Sequence, residues 1–433
     1  MEYVGRERSS EKVAFANILN PNWVAAHRGA LADYLKRYRM HAAEAASMKL
    51  DGLKLLAPSL LGFISDERTL FAAWQHMATH GGSAPGPDGD TYGDFTTTEV
   101  WDWCRATRDG IRSDQYTPGE ESVVRIPKTG DRGFRELVLQ SIFDRVVHRA
   151  VVEITQALLD PLFDRRSFGY RPKKGPLRAL AAAERLYKGG KRGVWVSVDI
   201  RNAFPSVPVG RLLGVVQKYF PDDRFLTFIK TVTISGKRLG LRQGSPLSPL
   251  LLNLYLHHVL DRKWRESHPE IPLLRFADDI LLMCRTEKQA RDAYAALTKY
   301  IRDAGFELKE TCDDAIKGVA KGELVDWMGF GIRGAGGGLS FKVTDDAWDS
   351  LQEALVSAHG KPNSPIAAFR SIAGWVADKG PCYPHTHFDR AYDRIERMAT
   401  AQGFAEILDR DELKGLWQRA YARWGKLRAN VGR

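Results

Sequence analysis

The sequence predicts an α+β fold, and three observations support this class. Residues 194–200 and 275–284 are apolar runs of strand length that contain aspartate near an end or at a turn. Residues 248–260 form a longer apolar run that opens at a Ser-Pro pair, as a helix with Ser248 as its cap and Pro249 in its first turn would. Residues 1–80 and 345–433 have mainly helical character.

A pair of adjacent aspartates is the most informative feature of the chain. Asp278 and Asp279 have apolar neighbours on both sides, and a hairpin is the natural place for such a pair because neighbouring strand residues point to opposite faces. Asp199 lies in a similar apolar segment. An isolated Asp-Asp pair is most often a solvated turn. Three carboxylates on strand ends, however, can hold two Mg²⁺ ions, which suits in-line nucleotidyl transfer.

Composition narrows the class of partner. The 433 residues carry a formal net charge of +11, and the pI is near 9.4, which favours a polyanionic partner.

Four scattered cysteines, Cys104, Cys284, Cys312 and Cys382, form no Cys-x-x-Cys pair, so no structural zinc is expected and a reducing cytoplasm suits them. The N-terminus lacks an apolar signal core and no apolar run is long enough to span a bilayer, so we expect a cytoplasmic protein without a membrane partner.

Blocks in a fixed order from about residue 80 to residue 333 resemble prokaryotic reverse transcriptases related to group II intron proteins. The palm-like blocks are Asp199 with Phe204, residues 243–249, residues 276–279 and residues 325–330. The blocks that resemble the fingers and their continuation are residues 84–89, 124–128 with 133–137, 144–150 and 167–172. Two positions depart from the family pattern. Phe276 replaces the usual tyrosine. The Lys-Thr pair that the family often has after the metal-binding hairpin is interrupted here, because Glu310 separates Lys309 from Thr311.

The resemblance implies a right-hand polymerase architecture. We expect fingers and palm, with an RRM-like antiparallel sheet plus helices, and a helical thumb. The corresponding division is residues 1–80 as a helical N-terminal extension, 81–333 as fingers and palm, and 334–433 as a thumb-like region. The glycine-rich residues 334–338 are either a hairpin or a boundary. From the length of this thumb-like region we expect none of the DNA-binding and endonuclease regions that mobile intron proteins often carry.

The resemblance also implies site residues. Asp199, Asp278 and Asp279 would be catalytic, and with Ile200 they would form the site for two Mg²⁺ ions, for which Mn²⁺ can substitute. The nucleotide-binding positions would be Lys128 and Arg135 on the triphosphate, Phe204 beneath the sugar, and Gln243 and Gly244 beside the base pair. The template and primer contacts would come from Arg171, Arg423, Lys426 and Arg428.

Two of these assignments have structural alternatives. Phe204 could be an ordinary core residue instead of the side chain that excludes a 2′-hydroxyl. The basic C-terminal helix could simply pack Trp417 and Trp424 into the core, and both interpretations of that helix could hold together.

The sequence therefore favours an RNA-directed DNA polymerase that copies an RNA template into cDNA from dNTPs. We expect an associated noncoding RNA as the template and a role in bacterial antiphage defence. The first alternative is a group II intron reverse transcriptase and maturase that assists splicing and mobility. The second is a non-catalytic RNA-binding scaffold, against which the three intact carboxylates argue because they cost stability without a metal role. The template, the primer and the oligomeric state stay open.

Overall fold

The structure is a computed structural model that describes residues 21–82, 84–127, 133–234, 240–361, 363–382 and 387–430. The helices are α1 (Pro21–Ser47), α2 (Leu50–Leu56), α3 (Leu60–Ser65), α4 (Glu67–His80), α5 (Thr97–Arg112), α6 (Ile142–Leu159), α7 (Pro176–Gly190), α8 (Ala203–Ser206), α9 (Val209–Tyr219), α10 (Asp223–Thr233), α11 (Ser248–Leu256), α12 (Arg262–Ser267), α13 (Glu287–Asp303), α14 (Cys312–Ala315), α15 (Asp345–Ala358), α16 (Ser364–Lys379), α17 (Phe388–Ala401) and α18 (Arg410–Asn430). The strands are β1 (Glu121–Pro127), β2 (Phe134–Gln140), β3 (Val194–Asp199), β4 (Leu273–Phe276), β5 (Asp279–Cys284), β6 (Ile316–Lys317), β7 (Val325–Trp327), β8 (Phe330–Ala335) and β9 (Gly338–Val343).

Helices and antiparallel strands mix in this chain, which confirms the α+β class. The residues divide into two compact units. The first unit contains the described parts of Met1–Arg125, Glu136–Leu162 and Val207–Leu254. The second contains the described parts of Ile126–Arg135, Phe163–Ser206 and Tyr255–Arg433.

The first unit is built around α6, whose inner face is buried and apolar. Helices α1, α3 and α4 pack on it. The Tyr38 hydroxyl of α1 donates to the Ile154 carbonyl at 2.7 Å, which satisfies a buried polar group between the two helices. Arg145 of α6 donates to the carbonyls of Ala84 at 2.7 Å and Pro85 at 2.8 Å, and so holds the glycine-rich turn that follows α4.

The second unit contains a four-stranded sheet in the order β4-β5-β3-β6. Strands β3 and β5 are almost wholly apolar, and all five residues after Asp279 in β5 are buried. Helix α13 packs on β3 and β5, while α7 packs on β4. When both faces of a strand are covered by other elements, its residues need not alternate between apolar and polar. This explains the continuous apolar runs of β3 and β5 in the sequence.

A second sheet in this unit has the order β7-β8-β9. Residues 325–330, which resemble a last palm strand, form β7 and the start of β8 in this sheet. The glycine-rich residues 334–338 form the tip of the β8–β9 hairpin, where Ala335 pairs with Gly338 and the turn is Gly336 and Gly337. The structure shows a hairpin in this segment.

The C-terminal region is helical, as the sequence predicts. Helices α15, α16 and α18 pack in series, and α18 also packs on α7. Trp417 and Trp424 of α18 are 1% and 3% exposed and belong to the same apolar core as Trp195 of β3 and Trp327 of β7. The alternative in which α18 packs both tryptophans into the core is confirmed. Among the described helices, none has the length and apolar composition needed to cross a membrane.

Candidate active site

The three predicted carboxylates lie together at one end of the four-stranded sheet. Asp279 is the first residue of β5, and its cross-strand partner in β3 is Asp199. The turn between β4 and β5 consists of Ala277 and Asp278. It follows the last cross-strand pair of the two strands, Phe276 with Asp279. The backbone N–H of Ile200 donates to the Asp278 carbonyl at 3.2 Å, which ties the turn to the end of β3.

Burial and mutual repulsion dominate the electrostatics of this cluster. Burial raises the pKa of Asp278 to about 6, and the nearby Asp199 adds to this effect. The pKa of Asp279 is also raised, first by burial and then by Asp199 and Asp278. Negative charge at this end of the sheet is therefore incompletely neutralised by the protein.

One lysine supplies part of the missing positive charge. The Lys309 ammonium lies 2.6 Å from Asp199 Oδ1. The backbone around it is fixed as well, because the Lys309 N–H donates to the Asp199 carbonyl at 2.9 Å and the Asp199 N–H donates to Glu310 Oε2 at 2.8 Å. The segment after α13 thus brings a cation and a carboxylate to the end of β3.

The donor chemistry of the cluster fits a hard divalent cation. Carboxylate oxygens are the side-chain ligands that Mg²⁺ and Mn²⁺ prefer, and a bound cation would relieve the repulsion that adds to burial in raising the pKa values of Asp278 and Asp279. The Ile200 side chain is buried and apolar, so only its backbone could contribute. Within the described residues, no three His, Cys, Asp or Glu side chains are already arranged around a metal position. The carboxylate oxygens are therefore the right type of ligand for Mg²⁺ or Mn²⁺, and the side chains would have to move closer together to bind the ion.

Phe204 lies in α8, directly after the end of β3, and is 8% exposed. Its ring and that of Tyr170 meet in an edge-to-face arrangement, with ring centroids 6.1 Å apart. Tyr170 is half exposed, and burial together with the charge of Asp278 raises its pKa. An aromatic pair therefore adjoins the carboxylates, and Phe204 is shielded from solvent.

The predicted triphosphate contacts are only partly described. Arg135 lies in β2 with an exposed side chain, and its charge acts to lower the pKa of Asp278, against the larger effect of burial. Lys128 lies outside the described residues.

Gln243 and Gly244 belong to the first unit and begin a loop that follows β2 closely. The Gln243 carbonyl accepts a hydrogen bond from the Val138 N–H at 2.8 Å. Gly244 has φ +111°, and a Cβ there would lie 3.1 Å from the Val138 carbonyl oxygen. Glycine is therefore required at this position by both conformation and space.

A buried histidine fixes the rest of this loop. His148 Nδ1 lies 2.8 Å from the Ser245 hydroxyl, and that hydroxyl accepts from the Leu247 N–H at 3.2 Å. A second hydrogen bond joins the ring to the Val232 backbone. Burial, with Arg242 as a smaller cause, lowers the pKa of His148 to about 3. The neutral ring can accept from Ser245 while its other nitrogen donates to Val232.

We expect His148 to make the protein less stable as the pH falls below about 6.5. The folded-state pKa is lowered, so the unfolded chain binds the proton first and stability is lost between the ordinary value of 6.5 and about 3. From pH 6.5 to pH 5 the loss from this residue is about 2 kcal/mol. Urea unfolding at both pH values measures it. The variant His148→Gln should show a smaller loss; equal losses in variant and wild type would contradict the assignment.

The predicted template and primer residues differ in their surroundings. Arg423 and Lys426 are exposed on α18. The Arg428 guanidinium forms a two-pronged ion pair with Glu184 of α7, at 2.6 and 2.5 Å. Arg171 donates to the carbonyls of Asp164 and Ser167 at 2.6 and 2.8 Å. The side chains of Arg428 and Arg171 therefore also stabilise the fold through contacts within the protein.

The structure places three residues at the site, Tyr170, Lys309 and Glu310, for which the sequence predicts no role. Lys309 enters the sequence analysis only as a departure from the family pattern, Tyr170 lies within the block 167–172, and Glu310 belongs to none of the blocks. The clue available for Tyr170 was its place after Gly169 in a block that resembles the family. For the two residues after Leu308, the only clue was an oppositely charged pair following an apolar segment.

Comparison with known proteins identifies the domain that carries this site. Residues 126–316 match the family described as reverse transcriptase (RNA-dependent DNA polymerase). The chain therefore contains a reverse transcriptase domain, and the carboxylate cluster lies inside it.

Named relatives place this domain beside those of group II intron proteins. The group II intron-encoded protein LtrA of Lactococcus lactis subsp. cremoris is 26% identical over 217 residues, which cover 46% of this chain and 35% of LtrA. Protein YkfC of Escherichia coli K12 is 25% identical over 248 residues, covering 48% of this chain and 65% of YkfC. The chain thus spans less than two thirds of either relative. Apo telomerase from Candida tropicalis aligns with a TM-score of 0.42 at 11% identity, covering 78% of this chain and 73% of that one.

Proposed function

We propose that this protein is an RNA-directed DNA polymerase that copies RNA into cDNA. The observation that carries the proposal is the meeting of Asp199, Asp278 and Asp279 at the ends of paired strands within residues 126–316, which match the reverse transcriptase family. We further propose residues 81–333 as fingers and palm, and 334–433 as a thumb-like region behind the helical residues 1–80.

The proposed division of labour follows from chemical type. Asp199, Asp278 and Asp279 offer oxygen ligands to two Mg²⁺ ions, or to Mn²⁺ in their place. When bound, such ions would supply activation of the primer 3′-hydroxyl and neutralisation of charge on the triphosphate. Arg135 would hold the triphosphate with its planar fork, together with Lys128. Gln243 and Gly244 would allow the backbone to approach the base pair.

Primer extension tests the proposal directly. The purified protein is given an RNA template annealed to a DNA primer, with labelled dNTPs and Mg²⁺ or Mn²⁺. We expect extension that requires the template and the metal. No extension with either metal, across several templates and primers, would refute the proposal. RNA binding without any synthesis would instead favour the scaffold alternative.

Sugar selection should depend on Phe204. The variants Phe204→Val and Phe204→Ala should raise the use of rNTPs relative to dNTPs, because a smaller side chain leaves space for the 2′-hydroxyl. The measurement is the ratio of kcat/KM for the two nucleotide classes. Phe306→Val is a suitable control, since Phe306 is also buried and packs on Tyr255. An unchanged ratio in an active Phe204 variant would make this ring a core residue only.

RNA contact is proposed for the basic residues of α18 and for Arg171. Arg423 and Lys426 present exposed charges. Arg428 and Arg171 would contact nucleic acid alongside their internal hydrogen bonds. Charge contacts to phosphate make binding salt-dependent, so replacing Arg423 and Lys426 should reduce that dependence without changing template sequence preference.

We propose a dedicated noncoding RNA as the template and antiphage defence as the role. Support comes from the helical regions α1–α5 and α15–α18 on either side of the family match, which offer surfaces for a particular RNA. The gene with its adjacent noncoding DNA should reduce phage plating, and replacing Asp278 and Asp279 should remove the protection. RNA should copurify with both forms. Protection that survives the double replacement would refute polymerisation as its basis.

The similarity to LtrA favours a second candidate function: the protein would be a reverse transcriptase that assists splicing of a group II intron. A splicing assay with intron RNA found near the gene distinguishes the two. Splicing that depends on the protein, together with no protection against a broad phage panel, would favour this alternative over defence.

A further inference from the structure

The turn that carries the catalytic carboxylates has an unusual backbone. Ala277 has φ +58°, in the left-handed region that residues with a Cβ rarely adopt, and it is 3% exposed. This conformation is strained for a residue with a Cβ, so the surroundings must hold it. Asp278 and Asp279 follow directly, and their directions depend on how Ala277 is set.

Arg275 reaches this turn from within the protein. Its side chain has no exposed surface, and its Nη1 donates to the Ala277 carbonyl at 2.9 Å. The backbone of Arg275 is fixed in addition, because its N–H donates to the Arg166 carbonyl at 3.0 Å and its carbonyl accepts from the Phe168 N–H at 2.8 Å. The donor that meets the turn is therefore itself held in place.

Asp261 makes this arrangement possible. It accepts from Arg275 Nε at 2.9 Å and from Nη2 at 2.7 Å, and its side chain is 2% exposed. Asp261 ends a π-helical segment, His257–Asp261, that joins α11 to α12. A buried guanidinium without a partner is very costly, and Asp261 supplies the partner charge for Arg275 beneath the turn.

We propose that Arg275 and Asp261 are positioning residues of the active site. Asp261 orients the guanidinium, the guanidinium holds the Ala277 carbonyl, and the carbonyl fixes the peptide from which Asp278 emerges. The strand ladder cannot do this alone, because its last pair is Phe276 with Asp279 and the turn lies beyond it. The inference rests on the proposed polymerase function. The competing explanation is an ion pair that only stabilises the fold.

A double variant separates these explanations. Removing one partner of a buried pair destabilises strongly, whereas replacing both by apolar residues is often neutral. Arg275→Met with Asp261→Val should therefore melt close to wild type in EDTA. It should nevertheless bind Mn²⁺, measured by electron paramagnetic resonance, about tenfold or more weakly. DNA synthesis should lose a similar factor in kcat with little change in the dNTP KM.

Two further variants complete the experiment. Arg265→Met removes a half-exposed arginine that pairs with Asp164 at 3.0 Å, and it should leave Mn²⁺ binding and synthesis unchanged. Arg275→Lys keeps a buried positive charge but cannot serve both Asp261 and Ala277, so it should bind Mn²⁺ weakly. If the double variant does not fold, Mn²⁺ binding by Arg275→Lys still tests the positioning role.

The outcomes are distinct. Wild-type Mn²⁺ binding and kcat in a folded double variant, or in Arg275→Lys, would overturn the positioning role. A wild-type protein that binds Mn²⁺ but makes no cDNA would refute the proposed polymerase function, while the Mn²⁺ comparison would still test the positioning role. A wild-type protein that binds no Mn²⁺ would overturn both.

Discussion

Replacing Asp278 and Asp279 together with alanine is expected to abolish DNA synthesis while leaving the fold intact. The change removes two of the three carboxylates that meet at the strand ends, and with them most of the proposed metal site. Incorporation of labelled dNTP on a primed RNA template measures the effect. Wild-type rates in the double variant would refute the catalytic assignment.

Stability provides the control for this experiment. The folded-state pKa values of both carboxyls are raised, so their contribution is most favourable below about pH 4 and is lost as the pH rises through the folded-state values. At pH 8 in EDTA the double variant should therefore melt at the same temperature as wild type or higher. A markedly lower melting temperature would show that lost activity reflects unfolding.

The second large effect is expected at Gly169. A Cβ there would lie 2.2 Å from the Ala277 backbone nitrogen and 2.9 Å from its Cα, so no flexible side chain can move to make space. Gly169→Ala should force the β4–β5 turn away from its place. Overpacking of this kind costs about 1–3 kcal/mol, and a misplacement near 1 Å can reduce the synthesis rate about 100-fold.

Gly189→Ala is the matched control for this substitution. Gly189 lies in α7 of the same unit and has no atom within 4 Å of its would-be Cβ. Alanine there should stabilise the protein by up to about 1 kcal/mol through lower entropy of the unfolded chain. Synthesis should be unchanged. Normal activity in Gly169→Ala would mean that the turn tolerates a shift, and the close approach would have no functional weight.

Local patterns explain how much of the site was predictable. The runs around Asp199 and around Asp278 are short, apolar and strand-like, and adjacent acids in such a setting indicate a turn. Their pairing across β3 and β5 followed from the family resemblance and not from periodicity. The helical ends and the start of α11 at Ser248 were likewise accessible from capping and apolar spacing.

Long-range contacts were not predictable in this way. Nothing in the sequence near Arg275 shows that Asp261 reaches it from a π-helical segment, or that Lys309 returns to Asp199. The basic face of α18 shows the same limitation. Its sequence contains no acid near Arg428, yet α7 supplies Glu184 as a partner. Charge that looks free in a local segment can be neutralised by a residue hundreds of positions away.

The ion pair between Arg428 and Glu184 has a consequence for biosynthesis. Its partners are 244 positions apart, and α18 also contributes Trp417 and Trp424 to the apolar core that contains Trp195 of β3. At about 5–20 residues per second, a ribosome needs roughly 10–50 s to travel from one partner to the other. During that interval the nascent chain leaves the apolar side of α7 without the helix that covers it. Prematurely terminated products should therefore be held by chaperones or aggregate, and synonymous codons that slow translation before α18 should lower the yield of folded protein.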